Sequence, residues 1–320
     1  MLRIVDQGCI SHTPGRGAYM PWITPLADGT SIACQHVGDE LGSDDNHMVV
    51  LSCTDGRTFT ERGTVGPRDD GHAYRAPQIS VVDGQRLVLV CSRFETGAEA
   101  LFNPETEALR RPEMCLFWSD DNGATWSRKP QLVSVDLPAE RYTWNSAGQL
   151  LQLPSGRWMW PLETWKPEGY DGPPDQRAWA VFSSDAGASW GDLTVVANDP
   201  DGTVLYWDQM NCQLMDGRIY TTIWTHLYGT SDDIENHWVV SEDEGHTWST
   251  PRPTNLRGQV CTPMPLADGR VAAIYNDRHD PQGVRVAVSE DLSNFDIEHQ
   301  LTLFDAGAEA TLGTPQHDNF

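Results

Sequence analysis

The octapeptide Ser119-Asp-Asp-Asn-Gly-Ala-Thr-Trp126 recurs as Ser183-Ser-Asp-Ala-Gly-Ala-Ser-Trp190 and as Ser241-Glu-Asp-Glu-Gly-His-Thr-Trp248, so one structural unit is written three times in the chain. A weaker copy, Ser52-Cys-Thr-Asp-Gly-Arg-Thr-Phe59, precedes them, and a shortened one, Ser289-Glu-Asp-Leu-Ser-Asn-Phe295, follows. The starts at 52, 119, 183, 241 and 289 lie 67, 64, 58 and 48 residues apart. That spacing is too long for helical solenoid repeats and suits four-stranded propeller blades with loop insertions. In each copy the Asp accepts turn N–H groups, the Gly takes a positive φ, the Ser or Thr closes a local hydrogen bond and the aromatic packs beneath. The pattern predicts an anchored hairpin tip.

The rest of the chain agrees with an all-β reading. Short or alternating apolar runs rich in β-branched and aromatic residues are punctuated by Asp-Gly and Pro, and no long stretch of helical period competes. Each unit carries an earlier turn as well: Asp28-Gly29, Asp83-Gly84, Ser155-Gly156, Asp216-Gly217 and Asp268-Gly269. These turns mark the register for comparing blades. Because the repeats run nearly the whole length, residues 1–320 are expected to form one propeller domain.

Composition narrows the function classes. The chain has 22 basic against 46 acidic residues, a net charge of −24, which repels nucleic acid and anionic membrane surfaces. Seven cysteines form an odd set with no C-x-x-C pair, several inside apolar runs such as Leu87-Val-Leu-Val-Cys91; buried thiols are expected, not a disulfide framework. Nothing resembles a signal peptide in Met1-Leu-Arg-Ile-Val-Asp-Gln7 and no 18-residue apolar span occurs, so the chain as written is expected to be cytoplasmic, or secreted if a signal was trimmed.

In a propeller the innermost strands converge on one axis, so residues at matching offsets from the register turns ring a central pocket. Eight residues after each turn stand His36, Cys91, Glu163, Trp224 and Asn276; two further on stand Gly38, Arg93, Trp165, His226 and Arg278. Eight before it stand Met20, Arg75, Ala147, Asp208 and Val260. Glu163 and Asp208 are the candidate carboxyl pair for hydrolysing a glycosidic bond, a reaction needing a proton donor and a second group that attacks or activates water. Apolar neighbours would raise the pKa of one of them. His226 is the candidate for acid–base support, and Trp165 and Trp224 for stacking on sugar rings. Pairing of either acid with Arg75, Arg93 or Arg278 in a structural network is the competing reading. The histidines have no ligand spacing such as H-E-x-x-H, so no metal and no cofactor is expected.

The octapeptides resemble the Asp-box of the sialidase-like, or BNR-repeat, superfamily, where that motif joins the third and fourth strands of a blade. The resemblance covers roughly residues 15–300. It implies a propeller of six four-stranded blades. After Leu301-Thr-Leu-Phe304 only sixteen residues remain, too few for three more strands of roughly five to six residues, so the sixth blade is expected to be incomplete or irregular, with Leu2-Arg-Ile-Val5 a candidate closing strand and a five-bladed ring the alternative. The resemblance also implies arginines that clamp a substrate carboxylate: Tyr74-Arg-Ala-Pro77 is similar to the family's R-x-P motif and nominates Arg75, with Arg278 and then Arg93 as further candidates and His36 beside them in the ring. The family's nucleophilic tyrosine has no matching motif here. A glycoside hydrolase acting on a terminal, acidic sugar is the resulting expectation; a polysaccharide lyase acting on a uronate and a non-catalytic carbohydrate-binding propeller are the alternatives.

Overall fold

The computed structural model describes residues 2–97, 100–103, 105–230, 234–279 and 281–305. They build five antiparallel four-stranded blades arranged as a β-propeller. Blade 1 holds β1 (Gly17–Pro25), β2 (Ser31–Gly38), β3 (His47–Cys53) and β4 (Phe59–Val65). Blade 2 begins with β5 (His72–Val82) and β6 (Arg86–Glu95), inserts a hairpin of β7 (Phe102–Asn103) and β8 (Ala108–Leu109), and ends with β9 (Glu113–Ser119) and β10 (Gln131–Val133). In blade 3 the inner strand is split into β11 (Thr143–Ser146) and β12 (Leu151–Gln152), followed by β13 (Trp158–Trp165), β14 (Ala178–Ser183) and β15 (Gly191–Ala197). Blade 4 has β16 (Val204–Gln213), β17 (Ile219–Leu227), β18 (His237–Ser241) and β19 (Arg252–Pro253); blade 5 has β20 (Gln259–Pro265), β21 (Val271–Asp277), β22 (Gly283–Ser289) and β23 (Leu301–Asp305).

The five-bladed alternative therefore describes these residues, and an irregular sixth blade would lie outside them. Leu2-Arg-Ile-Val5 forms no strand. Instead Gln7 donates a side-chain N–H to the Leu303 carbonyl at 2.5 Å, Asp6 pairs with Arg57 at 3.0 Å, and Ile10 covers an apolar patch on blade 1.

Each repeated octapeptide joins the third and fourth strands of its blade and closes as its residue types require. Asp121 Oδ1 accepts the Thr125 N–H at 2.8 Å, Oδ2 accepts the Thr125 hydroxyl at 2.7 Å, and Ser119 Oγ accepts the Gly123 N–H at 2.9 Å. The copies at Asp185 and Asp243 repeat this geometry. These bonds hold Asp185 down at about 2. The hairpin glycines then seat against the preceding blade. A Cβ on Gly123 would collide with Ile32 of blade 1, one on Gly187 would lie 3.0 Å from Trp118 of blade 2, and one on Gly245 would lie 2.7 Å from Phe182 of blade 3.

Apolar side chains fill the seams between successive blades. One cluster joins Ile32, Met48 and Val50 of blade 1 to Ile79, Leu89 and Phe117 of blade 2. Others join Val88 and Leu116 of blade 2 to Trp158 and Trp160 of blade 3, Met159 and Phe182 of blade 3 to Tyr206 and Ile223 of blade 4, and Tyr220 of blade 4 to Val271 of blade 5. Among the described residues, no such cluster joins blade 5 to blade 1. Gly56, in the blade 1 hairpin, meets nothing within 4 Å, and Met20 and Ile23 of β1 are 48% and 50% exposed. Six of the seven cysteines are buried free thiols, as their apolar contexts predict.

Candidate active site

The inner strands share a defect. Register slips between Tyr19 and Trp22, between Arg75 and Gln78, between Trp207 and Met210, and between Gln259 and Thr262, while blade 3 interrupts its inner strand at the same place. At the slips Met20, Ala76, Asp208 and Val260 adopt φ of 49°, 51°, 47° and 49°. A β-bulge with one left-handed residue re-aims the neighbouring side chains, and here four of the five blades do so at one height. Just before the bulge, inner and second strands pair Tyr19 with His36, Arg75 with Ser92, Asn145 with Glu163, Trp207 with Trp224, and Gln259 with Asn276.

The offsets counted from the sequence need correction in blade 2, where all three, Arg75, Cys91 and Arg93, fall one residue short, and in blade 3, where Asn145 pairs with Glu163 and the nominated Ala147 lies two positions on. The β5–β6 hairpin of blade 2 closes Val82 onto Arg86 around three residues, where β1–β2, β16–β17 and β20–β21 close around five. The register mark shifts by one, so Ser92 takes the place expected for Cys91 and Ala76 the bulge place expected for Arg75. Cys91 is turned into the blade core.

The carboxyl pair comes together. Glu163, 3% exposed, accepts the Trp165 indole N–H on Oε1 at 2.8 Å and the Asp208 backbone N–H on Oε2 at 2.8 Å. Burial first, and then the Asp208 charge, push Glu163 up to about 8. Asp208 is also raised, by burial, against the lowering effect of the Gln259 hydrogen bond and the Arg278 charge. Unlike Glu163, Asp208 keeps partial solvent contact. Its Oδ2 accepts the Gln259 side-chain N–H at 3.1 Å, and Gln259 Oε1 accepts from Arg278. On the other side Asn145 pairs with Glu163 across the strands, counters the effect of burial on that carboxyl, and accepts the Ser92 hydroxyl at 2.5 Å. A continuous polar chain, Ser92–Asn145–Glu163–Asp208–Gln259–Arg278, therefore crosses blades 2 to 5. Asn145 and Gln259 are site residues that the sequence offsets missed: Gln259 stands one position before its bulge, and Asn145 lies opposite Glu163 in the split inner strand of blade 3.

Blades 1 and 2 hold the second charged group. Arg75 is buried, donates Nη2–H to the Leu41 carbonyl and has no partner for its Nε. Its guanidinium lies 5.7 Å from the Phe94 ring centroid, and Arg110 of the inserted loop lies 5.7 Å from the same ring. Desolvation and the Arg110 charge lower Arg75 to about 10, which leaves it cationic at neutral pH. His36 stacks on Tyr19 at 5.3 Å and accepts the Ala76 N–H on Nδ1 at 3.3 Å. Burial and Arg75 lower it to about 3, so it is neutral. Here too a bulge N–H is received by a second-strand side chain of the preceding blade, as Glu163 receives that of Asp208.

Three nominated residues are placed otherwise than expected. Arg93 is held by Glu113 at 2.7 Å and Asp70 at 3.3 Å, a structural ion-pair network and no substrate clamp. Trp165 and Trp224 are only 7% and 3% exposed, because Trp207 stands between them with centroids at 5.5 and 5.1 Å. Phe102 of the inserted hairpin caps Trp165 at 6.1 Å. They form a packed aromatic wall and offer no open stacking face. His226 flanks this wall at 6.1 Å from Trp207, with Nε2 on the Thr230 carbonyl at 2.7 Å. A carbonyl only accepts, so the imidazole proton is on Nε2.

Blade order, repeated hairpins and the polar axial ring together point to one kind of propeller. Residues 101–307 match the BNR repeat-like domain. The chain belongs to this BNR-repeat family. Among solved structures, a protein of unknown function from Dyadobacter fermentans is similar over 98% of this chain and 88% of its own, with 18% identity and a TM-score of 0.76. The Hadza microbial sialidase Hz136 matches 89% of this chain and 58% of its own, at 17% identity and a TM-score of 0.67. The Penicillium chrysogenum α-L-arabinanase, complexed with arabinobiose, matches 87% and 80%, at 13% identity and a TM-score of 0.62. At these identities the likeness is one of fold. No curated protein matches the chain.

Proposed function

We propose that this BNR-repeat propeller is a glycoside hydrolase acting on a terminal, acidic sugar. The observation that carries the reading is the Glu163–Asp208 contact. Among the bulge residues, Asp208 alone is ionisable, and its N–H is bound by a second carboxyl raised to about 8. Buried Glu163, beside the Asp208 charge, keeps a proton at neutral pH. Asp208, the member in contact with solvent, is the group suited to give that proton to a leaving glycosidic oxygen and afterwards to take one from water. Glu163 is a positioning residue: it holds the Asp208 backbone and stores the proton.

The acidic-sugar part rests on Arg75, whose buried guanidinium has an unpartnered Nε and meets no carboxylate among the described residues. A charge-assisted bond to a substrate carboxylate there is roughly twice as strong as a neutral one. Arg278, engaged with Gln259, tunes Asp208 from blade 5.

The test is release of free sugar from α- and β-glycosides, including a sialoside and a glucuronide, by wild type, Asp208→Asn and Glu163→Gln. Release that Asp208→Asn abolishes supports the reading. A product with new ultraviolet absorbance would mark a lyase instead. Saccharide binding unchanged in Asp208→Asn, with no turnover by wild type, would leave a binding propeller.

A further inference from the structure

A cleft of about 310 Å³ opens at the outer rim between blades 1 and 2, far along both blades from the axial ring. Its floor is Val50, Val65 and Gly123, and its walls include Trp126, Arg62 and Arg128. The volume is at the small end of ligand pockets, roughly 300–1,000 Å³. Two local irregularities shape it. In β4 the register steps from Val50–Gly63 to Leu51–Glu61, so Arg62 is an extra, bulged residue beside Gly63 at φ 128°, a region only glycine occupies readily. Across the cleft, the blade 2 hairpin departs from its siblings. Trp190 and Trp248 donate their indole N–H to the glycine carbonyl of their own hairpins at 3.1 and 3.2 Å, whereas the Trp126 Nε1 is buried with no partner.

The charges are equally unusual. In a chain of net charge −24 most arginines of the described residues meet carboxylates. Among the described residues Arg62 meets only the Ser52 hydroxyl, at 2.5 Å, and Arg128 has no ion pair or hydrogen bond. Two uncompensated guanidiniums beside an indole over an apolar floor match a ligand with an apolar ring face and an anionic edge. A pyranose carrying a carboxylate or sulfate has both.

We infer that this cleft is a second, non-catalytic saccharide site that takes one acidic sugar unit. It is independent of the axial reading, since neither Arg62 nor Arg128 approaches Asp208 in the blade order. The experiment titrates a uronate disaccharide, a sulfated disaccharide and a neutral disaccharide into the full chain by calorimetry, using Asp208→Asn to prevent turnover. Arg62→Gln/Arg128→Gln in the same background is expected to weaken the acidic ligands at least tenfold, while Arg75→Gln leaves this binding event in place. Either acidic sugar behaving so supports the site and tells carboxylate from sulfate. Equal affinity for the neutral sugar, binding unaffected by the double change, or no binding at millimolar ligand overturns it. Benzoate binding as tightly as the disaccharides would also overturn it, since the site would then read an aromatic anion and not a sugar.

Discussion

Replacing Glu163 by Gln tests whether the buried carboxyl is protonated as its surroundings dictate. In the native chain Glu163 is raised from an ordinary 4.5 to about 8. A carboxyl raised on folding contributes its full stability below the unfolded value and loses it as pH climbs through the folded one. The separation is about three and a half pH units at about 1.36 kcal/mol each, so wild type should lose up to roughly 5 kcal/mol between pH 4.5 and 8 from this group. Gln carries no such dependence. It does carry a fixed cost, because its amide oxygen can satisfy only one of the Trp165 and Asp208 N–H groups while its own N–H₂ confronts the other; an unsatisfied buried donor costs about 1–3 kcal/mol. Wild type should therefore be the more stable protein at pH 4.5 by about 1–3 kcal/mol, the curves should cross between about pH 5 and 7, and the variant should lead by about 2–4 kcal/mol at pH 9. Urea unfolding followed by tryptophan fluorescence at pH 5, 7 and 9 measures the difference, in which the titrations of groups remote from Glu163 cancel. Parallel stability curves across that range would refute the assignment of the proton to Glu163.

Three further outcomes follow from the same geometry. Gln259→Leu removes the link between Asp208 and Arg278, both of whose effects lower Asp208; the pH–rate limb governed by Asp208 should move upward, and an unmoved limb would take Asp208 out of the rate-controlling step. Arg75→Gln should raise KM for an acidic sugar by about 10–100-fold, the worth of a charge-assisted bond, while kinetics on a neutral glycoside stay within a few-fold; equal effects on both would show a structural role. Gly245→Ala places a Cβ 2.7 Å from Phe182 at φ 84° and should cost about 2–4 kcal/mol, whereas Gly56→Ala, at φ 73° with nothing within 4 Å, should cost only the backbone strain of about 1–2 kcal/mol. Denaturant midpoints of the two variants report whether the blade 1 hairpin truly lacks a neighbour; equal losses would mean that something covers it.

The fold was legible because its signal is local and repeated. An octapeptide that closes on its own hydrogen bonds needs no distant partner to be recognised, and a Leu-x-Asp-Gly hairpin repeats its own bond, as from the Leu214 N–H to the Arg218 carbonyl at 2.8 Å. Site positions were legible only where turn lengths were equal. Counting from Asp216 finds Asp208 and counting from Ser155 to Trp165 finds Glu163 on the way, but the shorter blade 2 hairpin displaces the count and promotes Cys91 over Ser92. Burial was not legible. Trp165 and Trp224 read as sugar platforms because flat aromatics near an axis usually are, yet Trp207 and the inserted Phe102 use the same faces for packing. Arg93 and Arg75 look alike in sequence, and only the three-dimensional neighbours, Asp70 and Glu113 in one case and Phe94 and Arg110 in the other, separate a cation held by carboxylates from one that is not.

The left-handed bulge explains why a carboxylate at the axis is tolerated at all. At φ 47–51° a side chain with a Cβ is strained, least for Asp and most for a β-branched residue. The fold accepts that strain four times, at Met20, Ala76, Asp208 and Val260, so it belongs to the blade design before any chemistry is added. Two of these residues have their N–H received by a side chain from the preceding blade: Ala76 by the neutral His36 and Asp208 by Glu163. An acceptor on the preceding blade is thus a structural device of the propeller. Placing a carboxyl in that role next to a bulge that is itself an Asp sets two acids side by side, and burial together with the Asp208 charge raises Glu163. Restoring the neutral pattern with Glu163→His and Asp208→Ala together should then return a folded propeller that has lost its carboxyl pair; failure of that double variant to fold would show that the pair supports the bulge in a way the blade 1 pattern does not.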